Sequence, residues 1–232
     1  MKKRFAAFVS TVLAAVLCAC SAAPKDVLPN KAAQPTEAPT QQAQTTQAAP
    51  TEQPTPEPDP VQQLLEEMTL EQKVGQLFLV RPDSLDLSQT QDQINDAKAD
   101  GVTELTDAMR QTLAEYPVGG VVIFGKNLES PQQITQFLDD LQQASDTPLF
   151  TAIDEEGGLV ARLANNAAFD LPQYESAAAV GTSGNPEDAR AMGRTIGGYL
   201  KEYGFNLDFA PVADVNTNPD NPVIGTRAFS SE

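Results

Sequence analysis

Between residues 61 and 214 the chain alternates apolar stretches of two different periods. Residues 61–68 and 70–77 are apolar at helical spacing, and Thr69 with Gln72 predicts a capping box between them. Residues 78–80 predict a short buried strand, while 83–100 are polar and predict an excursion from the regular pattern. An amphipathic stretch at 103–116 precedes GGVVIF at 119–124, which predicts a strand ending at Gly125. Ser130-Pro131 pairs a cap residue with a first-turn proline, and Gln133 is expected to complete a second capping box. The helix it opens carries Ile134, Phe137, Leu138 and Leu141 on one face. LFTAID at 149–154 predicts another strand; Asn185-Pro186 caps a helix that should stop at Gly204, and FNLDFAPVAD at 205–214 predicts a fourth strand. Strands alternating with helices mean a parallel sheet, either doubly wound or rolled into a barrel.

The first sixty residues follow other rules. Lys2, Lys3 and Arg4 precede an apolar run at 5–19, short for a bilayer span of ~20 residues and suited to a signal-peptide core. It ends in Leu17-Cys18-Ala19-Cys20, which resembles the lipobox of bacterial lipoproteins. In that reading residues 1–20 are the signal, Cys20 carries the lipid, Cys18 leaves with the signal, and the product is extracytoplasmic and lipid-anchored to the cell membrane. The alternatives are a plain secretory signal or an uncleaved anchor. Residues 21–60 draw 29 of 40 positions from Pro, Ala, Thr and Gln, with only Val27 and Leu28 as larger apolar side chains. Such a stretch cannot offset chain entropy by burial, so it reads as a disordered, semi-stiff linker; a glycosylated stalk or a proline-motif ligand are the other uses of this composition.

Composition narrows the chemistry. Of 232 residues, 15 are Lys or Arg, 32 are Asp or Glu and none is His, for a formal charge of −17. That balance repels phosphate backbones, so no nucleic-acid partner is expected. Without histidine the chain holds no Ser-His-Asp triad, Cys-His pair or His-ligated zinc. Its two cysteines are both in the first twenty residues, which excludes a disulfide scaffold.

In parallel α/β folds, function gathers in the loops after the strands' C-terminal ends. IDEEGGLVAR at 153–162 is such a loop: Asp154, Glu155 and Glu156 offer carboxylates, and Gly157-Gly158 a sharp turn. Strand alternation allows at most Asp154 and Glu156 to share a side. Acid/base work and a divalent-cation cluster are the functional readings; a carboxylate holding Arg162 or capping backbone amides is the plainer one. PVADVNTNP at 211–219 presents Asp214, expected as a turn or cap residue. NPVIGTRAF at 221–229 presents Arg227, suited to clamp an anionic or hydroxylated ligand or to pair with an acid.

Taken in order, TLEQKVGQLF, GGVVIF, DEEGGLVAR, NLDFAPVADV and NPVIGTRAF resemble the N-terminal barrel domain of glycoside hydrolase family 3. The EEGG turn after an aspartate is most similar to its β-N-acetylhexosaminidase branch. The resemblance covers 61–232 and implies the first half of a (β/α)8 TIM-type barrel, since a complete one needs ~250 residues. It implies that Asp154 accepts from sugar hydroxyls and that Arg162 and Arg227 contact or orient the sugar. Leu159 departs from the arginine common at that place, which puts one supporting charge pair in doubt.

The resemblance further implies an exported enzyme that releases terminal β-linked N-acetylglucosamine from peptidoglycan fragments or chitin-type oligosaccharides, by a retaining mechanism without metal or organic cofactor. The family's acid/base His–Asp pair and nucleophilic aspartate would fall beyond residue 232, so no catalytic residue is expected within the chain, and the chain alone is expected to be inactive. A non-catalytic sugar-binding surface lipoprotein and a β-glucosidase of the same family are the alternatives.

Overall fold

The structure is a computed structural model and describes residues 59–232. The lipobox with Cys18 and Cys20, and all but the last two residues of the linker, lie outside the described residues.

Local signals start most of the helices. α1 (Pro60–Glu67) begins where the Asp59 side chain accepts from the Val61 amide at 2.9 Å. α2 (Leu70–Gly75) opens on the reciprocal Thr69–Gln72 capping box. β1 (Leu79–Val80) is followed by a 3-10 turn (Pro82–Leu85) and by α3 (Gln91–Asn95). α4 (Asp107–Glu115) leads into β2 (Gly120–Ile123), and a second 3-10 turn (Gly125–Asn127) leads to α5 (Pro131–Gln143). β3 (Phe150–Ile153) precedes a two-stranded hairpin, β4 (Glu155–Gly157) and β5 (Val160–Ala161). α6 (Ala177–Thr182), α7 (Pro186–Glu202) and β6 (Leu207–Asp208) complete the regular elements, with a last 3-10 turn at Gly225–Arg227. Among the described residues no helix is long and apolar enough to cross a membrane.

The main sheet is parallel, in the order β1-β2-β3-β6. Each new strand joins beside the one before it, so the order never reverses. A doubly wound sheet needs such a reversal, whereas consecutive strands of a (β/α) barrel do not. Helices α4, α5 and α7 bury one stripe each: Met109 and Leu113; Ile134, Phe137, Leu138 and Leu141; Met192, Ile196, Tyr199 and Leu200. These side chains meet Val121, Ile123 and Ile153 in one core cluster. Asn206 stitches β6 to its neighbour, with its side-chain oxygen accepting from the Thr151 amide at 2.8 Å and its amide donating to the Leu149 carbonyl at 2.9 Å.

Three expectations need correction. The strand anticipated over 205–214 is only Leu207–Asp208, and Pro211 beyond it has no N–H to offer a ladder. Gln133 does not close a box on Ser130: its oxygen accepts from the Glu129 amide, and its amide donates to the Thr103 and Asn127 carbonyls. Ser130 alone caps the helix, accepting from the Gln133 amide. The polar segment 83–100 is no mere excursion, because Asp83, Leu85 and Ile94 are all buried.

Asp83 explains how that segment is anchored. Its carboxylate accepts from the Val102 amide, the Asn127 side-chain amide at 3.0 Å and the Lys126 ammonium at 3.2 Å. The Asp83 and Lys126 side chains are 0% and 5% exposed, so removing one partner strands the other charge in a low-dielectric setting. Asp83→Leu is expected to destabilise the protein by about 3–5 kcal/mol in urea unfolding, and adding Lys126→Met should recover part of that loss. Additive costs in the double variant would mean that the ion pair is not what holds the segment.

Candidate functional site

The strands of the sheet deliver charged residues to their C-terminal ends. β3 runs buried through Ile153, and Asp154 is the first residue to leave it. Gly157 and Gly158 then reverse the chain with φ of 83° and 72°, a region other residues avoid. A Cβ on Gly158 would also lie 2.8 Å from the Ser176 Cα. The hairpin that results brings Arg162 back to Asp154, with Nη2 donating to Oδ2 at 2.9 Å. Arg162 also lies with its guanidinium carbon 5.6 Å from the Phe124 ring centre. Its Nε is buried without a partner, a cost of about 1–3 kcal/mol.

Glu155 points the other way. It is 0% exposed and accepts from the Leu163 amide at 2.8 Å, the Ala164 amide at 2.9 Å and the Tyr199 hydroxyl at 2.8 Å. Burial, together with the Glu155 charge, drives the Tyr199 phenol well above its usual range, so it stays a donor. Glu156 faces away from Glu155 but stays buried, and Arg227 donates to it in a two-point pair, Nε to Oε2 at 2.8 Å and Nη2 to Oε1 at 2.6 Å. Arg227 further donates to the Val223 carbonyl and feels the charges of Asp154 and Asp214.

Asp208, the last residue of β6, closes the cluster by accepting from the Glu155 amide at 3.0 Å. Burial pushes its carboxyl up to about 6, and the charges of Glu155, Asp154 and Glu156 reinforce the shift. A cavity of about 410 Å3 opens between this cluster and α7, lined by Glu156, Asp208, Met192, Ile196 and Phe229. Among the described residues no three His, Cys, Asp or Glu side chains gather as a metal site.

The family model for the glycosyl hydrolase family 3 N terminal domain matches residues 69–232. The chain belongs to glycosyl hydrolase family 3. Beta-hexosaminidase A of Pseudoalteromonas piscicida is 37% identical over 134 residues, covering 56% of this chain and 22% of that protein. The beta-hexosaminidase of Thiobacillus denitrificans is 33% identical over 134 residues, covering 56% of this chain and 36% of its own. Among solved structures, a family 3 beta-N-acetylglucosaminidase from Paenibacillus superposes with a TM-score of 0.57 at 34% identity, over 70% of this chain and 27% of that one. A beta-N-acetylhexosaminidase from Beutenbergia cavernae gives 0.54 at 27% identity, over 71% and 46%. The chain thus spans well under half the length of the curated relatives it matches.

Within this family 3 domain, Asp154 and Arg162 stand together, while Arg227 is held by Glu156, two residues further along the same strand edge. The plainer reading of the DEE cluster therefore describes the contacts: Asp154 holds an arginine and Glu155 caps amides. Asp214 caps nothing; it is exposed and engages no hydrogen bond among the described residues. Leu159 sits 71% exposed at the hairpin tip. Sequence reasoning missed Asp208, whose only signal was an acid inside an apolar run, and the Arg81–Phe124–Arg162 stack, which joins three separate loops.

Asp208 makes stability pH-dependent. Its folded pKa of about 6 exceeds the ordinary aspartate value of 3.8, so the folded state holds that proton more tightly. The added stability is full below the ordinary value and is lost as pH rises through about 6. Asp208→Asn should therefore be more stable than the parent at pH 7, by on the order of 2 kcal/mol, with the gap closing on acidification through that window. Urea midpoints of both proteins across the window check it; a gap that does not change with pH would be the contrary result.

Proposed function

We propose that the described residues form the sugar-binding half of a β-N-acetylhexosaminidase. The observation that carries this reading is the pair of carboxylate–arginine clamps, Asp154–Arg162 and Glu156–Arg227, at the strand ends of a family 3 domain. An ionised carboxylate accepts from two vicinal hydroxyls, and a guanidinium donates in a fixed fork. A pyranose therefore finds acceptors and donors already oriented. The names of the relatives, beta-hexosaminidase and beta-N-acetylglucosaminidase, support terminal β-linked N-acetylglucosamine as the sugar. Peptidoglycan fragments and chitin-type oligosaccharides are the substrates that carry it.

Hydrolysis with retention needs an acid/base and a nucleophile flanking the scissile bond. The acid/base His–Asp pair and the nucleophilic aspartate lie outside these 232 residues in this reading. Within them, Asp154 and Glu156 are each neutralised by an arginine and Glu155 is sealed in the core. The same commitment of carboxylates favours the rival reading, a surface protein that binds sugar without cleaving it.

The intact protein should hydrolyse a chromogenic β-N-acetylglucosaminide well ahead of the matching β-glucoside, while residues 1–232 alone should show no turnover. Asp154→Ala in the intact protein should weaken transition-state binding, read from the ratio of kcat/KM values, by several kcal/mol, at ~1.5–3 kcal/mol for each charge-assisted hydrogen bond lost. Turnover by residues 1–232 alone would return the acid and nucleophile roles to this carboxylate cluster.

Export and anchoring belong to the same proposal and rest on Leu17-Cys18-Ala19-Cys20. With Cys20 lipidated, the linker would hold the enzyme away from the membrane it is tied to. Cys20→Ala is expected to block processing and move the protein out of the membrane fraction; unchanged retention would point to an uncleaved anchor.

A further inference from the structure

The two arginines of the proposed sugar site are held unequally. Arg227 makes three hydrogen bonds, two to Glu156 and one to the Val223 carbonyl. Arg162 makes one among the described residues, from Nη2 to Asp154 Oδ2 at 2.9 Å. Its side chain is 33% exposed, and a single bond leaves so long a side chain much of its rotamer freedom. A guanidinium that is to donate in a fixed direction needs a second support. The Phe124 ring supplies one. The Arg162 guanidinium carbon lies over it, 5.6 Å from the ring centre and within reach of a cation–π contact.

The ring itself is mounted firmly. Phe124 directly follows β2, and Asn127 grips its backbone twice: Asn127 Oδ1 accepts from the Phe124 amide at 3.0 Å, and the Asn127 amide donates to the Phe124 carbonyl at 2.9 Å. Asn127 has no exposed surface, and its side-chain amide donates to Asp83 and to the Val102 carbonyl. The ring thus stands on the buried network that anchors the 83–100 segment. Arg81 lies over the same ring at 4.3 Å and is tied in turn, because the Ile94 carbonyl accepts from Arg81 Nη1 at 2.7 Å and from Lys126 Nζ at 3.1 Å. A second hollow, of about 370 Å3, opens beside the ring and is lined by Arg81, Asn95, Phe124, Lys126 and Arg162. On that side Phe124 meets cations and open space, where its π face counts for more than its bulk.

We propose that Phe124 is a positioning residue for the sugar site, its π face holding the Arg162 guanidinium in the plane from which that arginine donates. The inference rests on the hexosaminidase reading for the sugar and its reaction. Phe124 acts through Arg162: a guanidinium oriented in advance loses less freedom when it takes up a hydroxyl, so more of each hydrogen bond remains for binding.

Replacing Phe124 in the intact protein by phenylalanines that carry one, two and three ring fluorines tests it. Fluorine withdraws electron density from the π face and leaves the size of the ring almost unchanged, so a residue that only fills space would not respond. The kcat/KM for a chromogenic β-N-acetylglucosaminide should fall stepwise along the series, by about fivefold in all, the size of one partly exposed cation–π contact. Phe124→Leu, which keeps an apolar side chain and loses the face, should cost at least as much. The stepwise fall should persist in an Arg81→Met background, which separates the action on Arg162 from the stack with Arg81. A kcat/KM that stays flat along the series, or a fall that vanishes in the Arg81→Met background, overturns the role of Phe124 and leaves the hexosaminidase reading standing. A parent protein that hydrolyses no β-N-acetylglucosaminide overturns both.

Discussion

A carboxylate with no exposed surface is the constraint on which the site depends. Glu155 lies in the core, where an ionised group is costly unless every lone pair is engaged. Two amides of the segment after β5 and the hydroxyl of Tyr199 on α7 supply those bonds, while the Glu155 amide is taken by Asp208 on β6. One residue thereby fixes the hairpin, a helix and the last strand relative to one another. The backbone can satisfy that arrangement only with its neighbours turned outward. Asp154 and Glu156 are thus turned to the strand-end face because Glu155 is not, Asp154 partly exposed and Glu156 buried against Arg227.

The charges around them are arranged by proximity. Asp154 and Glu156 each have their own arginine, drawn from a different part of the chain: Arg162 from the turn just after β5, eight residues on, and Arg227 from a turn seventy-one residues on. Asp208, which like Glu155 has no cation of its own, holds its proton to higher pH. Arg81, which pairs with no carboxylate among the described residues, leans on an aromatic ring. Asp208 and Arg81 line separate hollows, and Arg162 borders the second.

Much of this was legible in the sequence, and the gaps have physical reasons. Periodicity marked the core stripe of α5, and the strand cores at 120–123 and 150–153, because burial selects residue type directly, while α7 was marked only by its cap and stop residues. Strand alternation separated Glu155 from its neighbours. Polar segments misled: Asp83 and Ile94 are buried in a stretch whose composition reads as surface, since its burial is secured by an ion pair and hydrogen bonds, which leave no hydrophobic signature. The length of β6 was overread because an apolar run says nothing about which amides find a partner. Arg162 and Arg227 were visible as candidates, but their particular partners depend on turns whose geometry no periodicity encodes.

The shared acceptor at Ile94 has a consequence for local order. α3 is five residues long, buries only Ile94, and is tied to the sheet through cations that reach its carbonyls from the residue after β1 and from the 3-10 turn after β2. A change that draws either cation away therefore loosens the 90–100 segment. The order of that segment and the placement of Arg81 and Lys126 are one property. The segment's amide hydrogens become a natural reporter of where those two side chains sit.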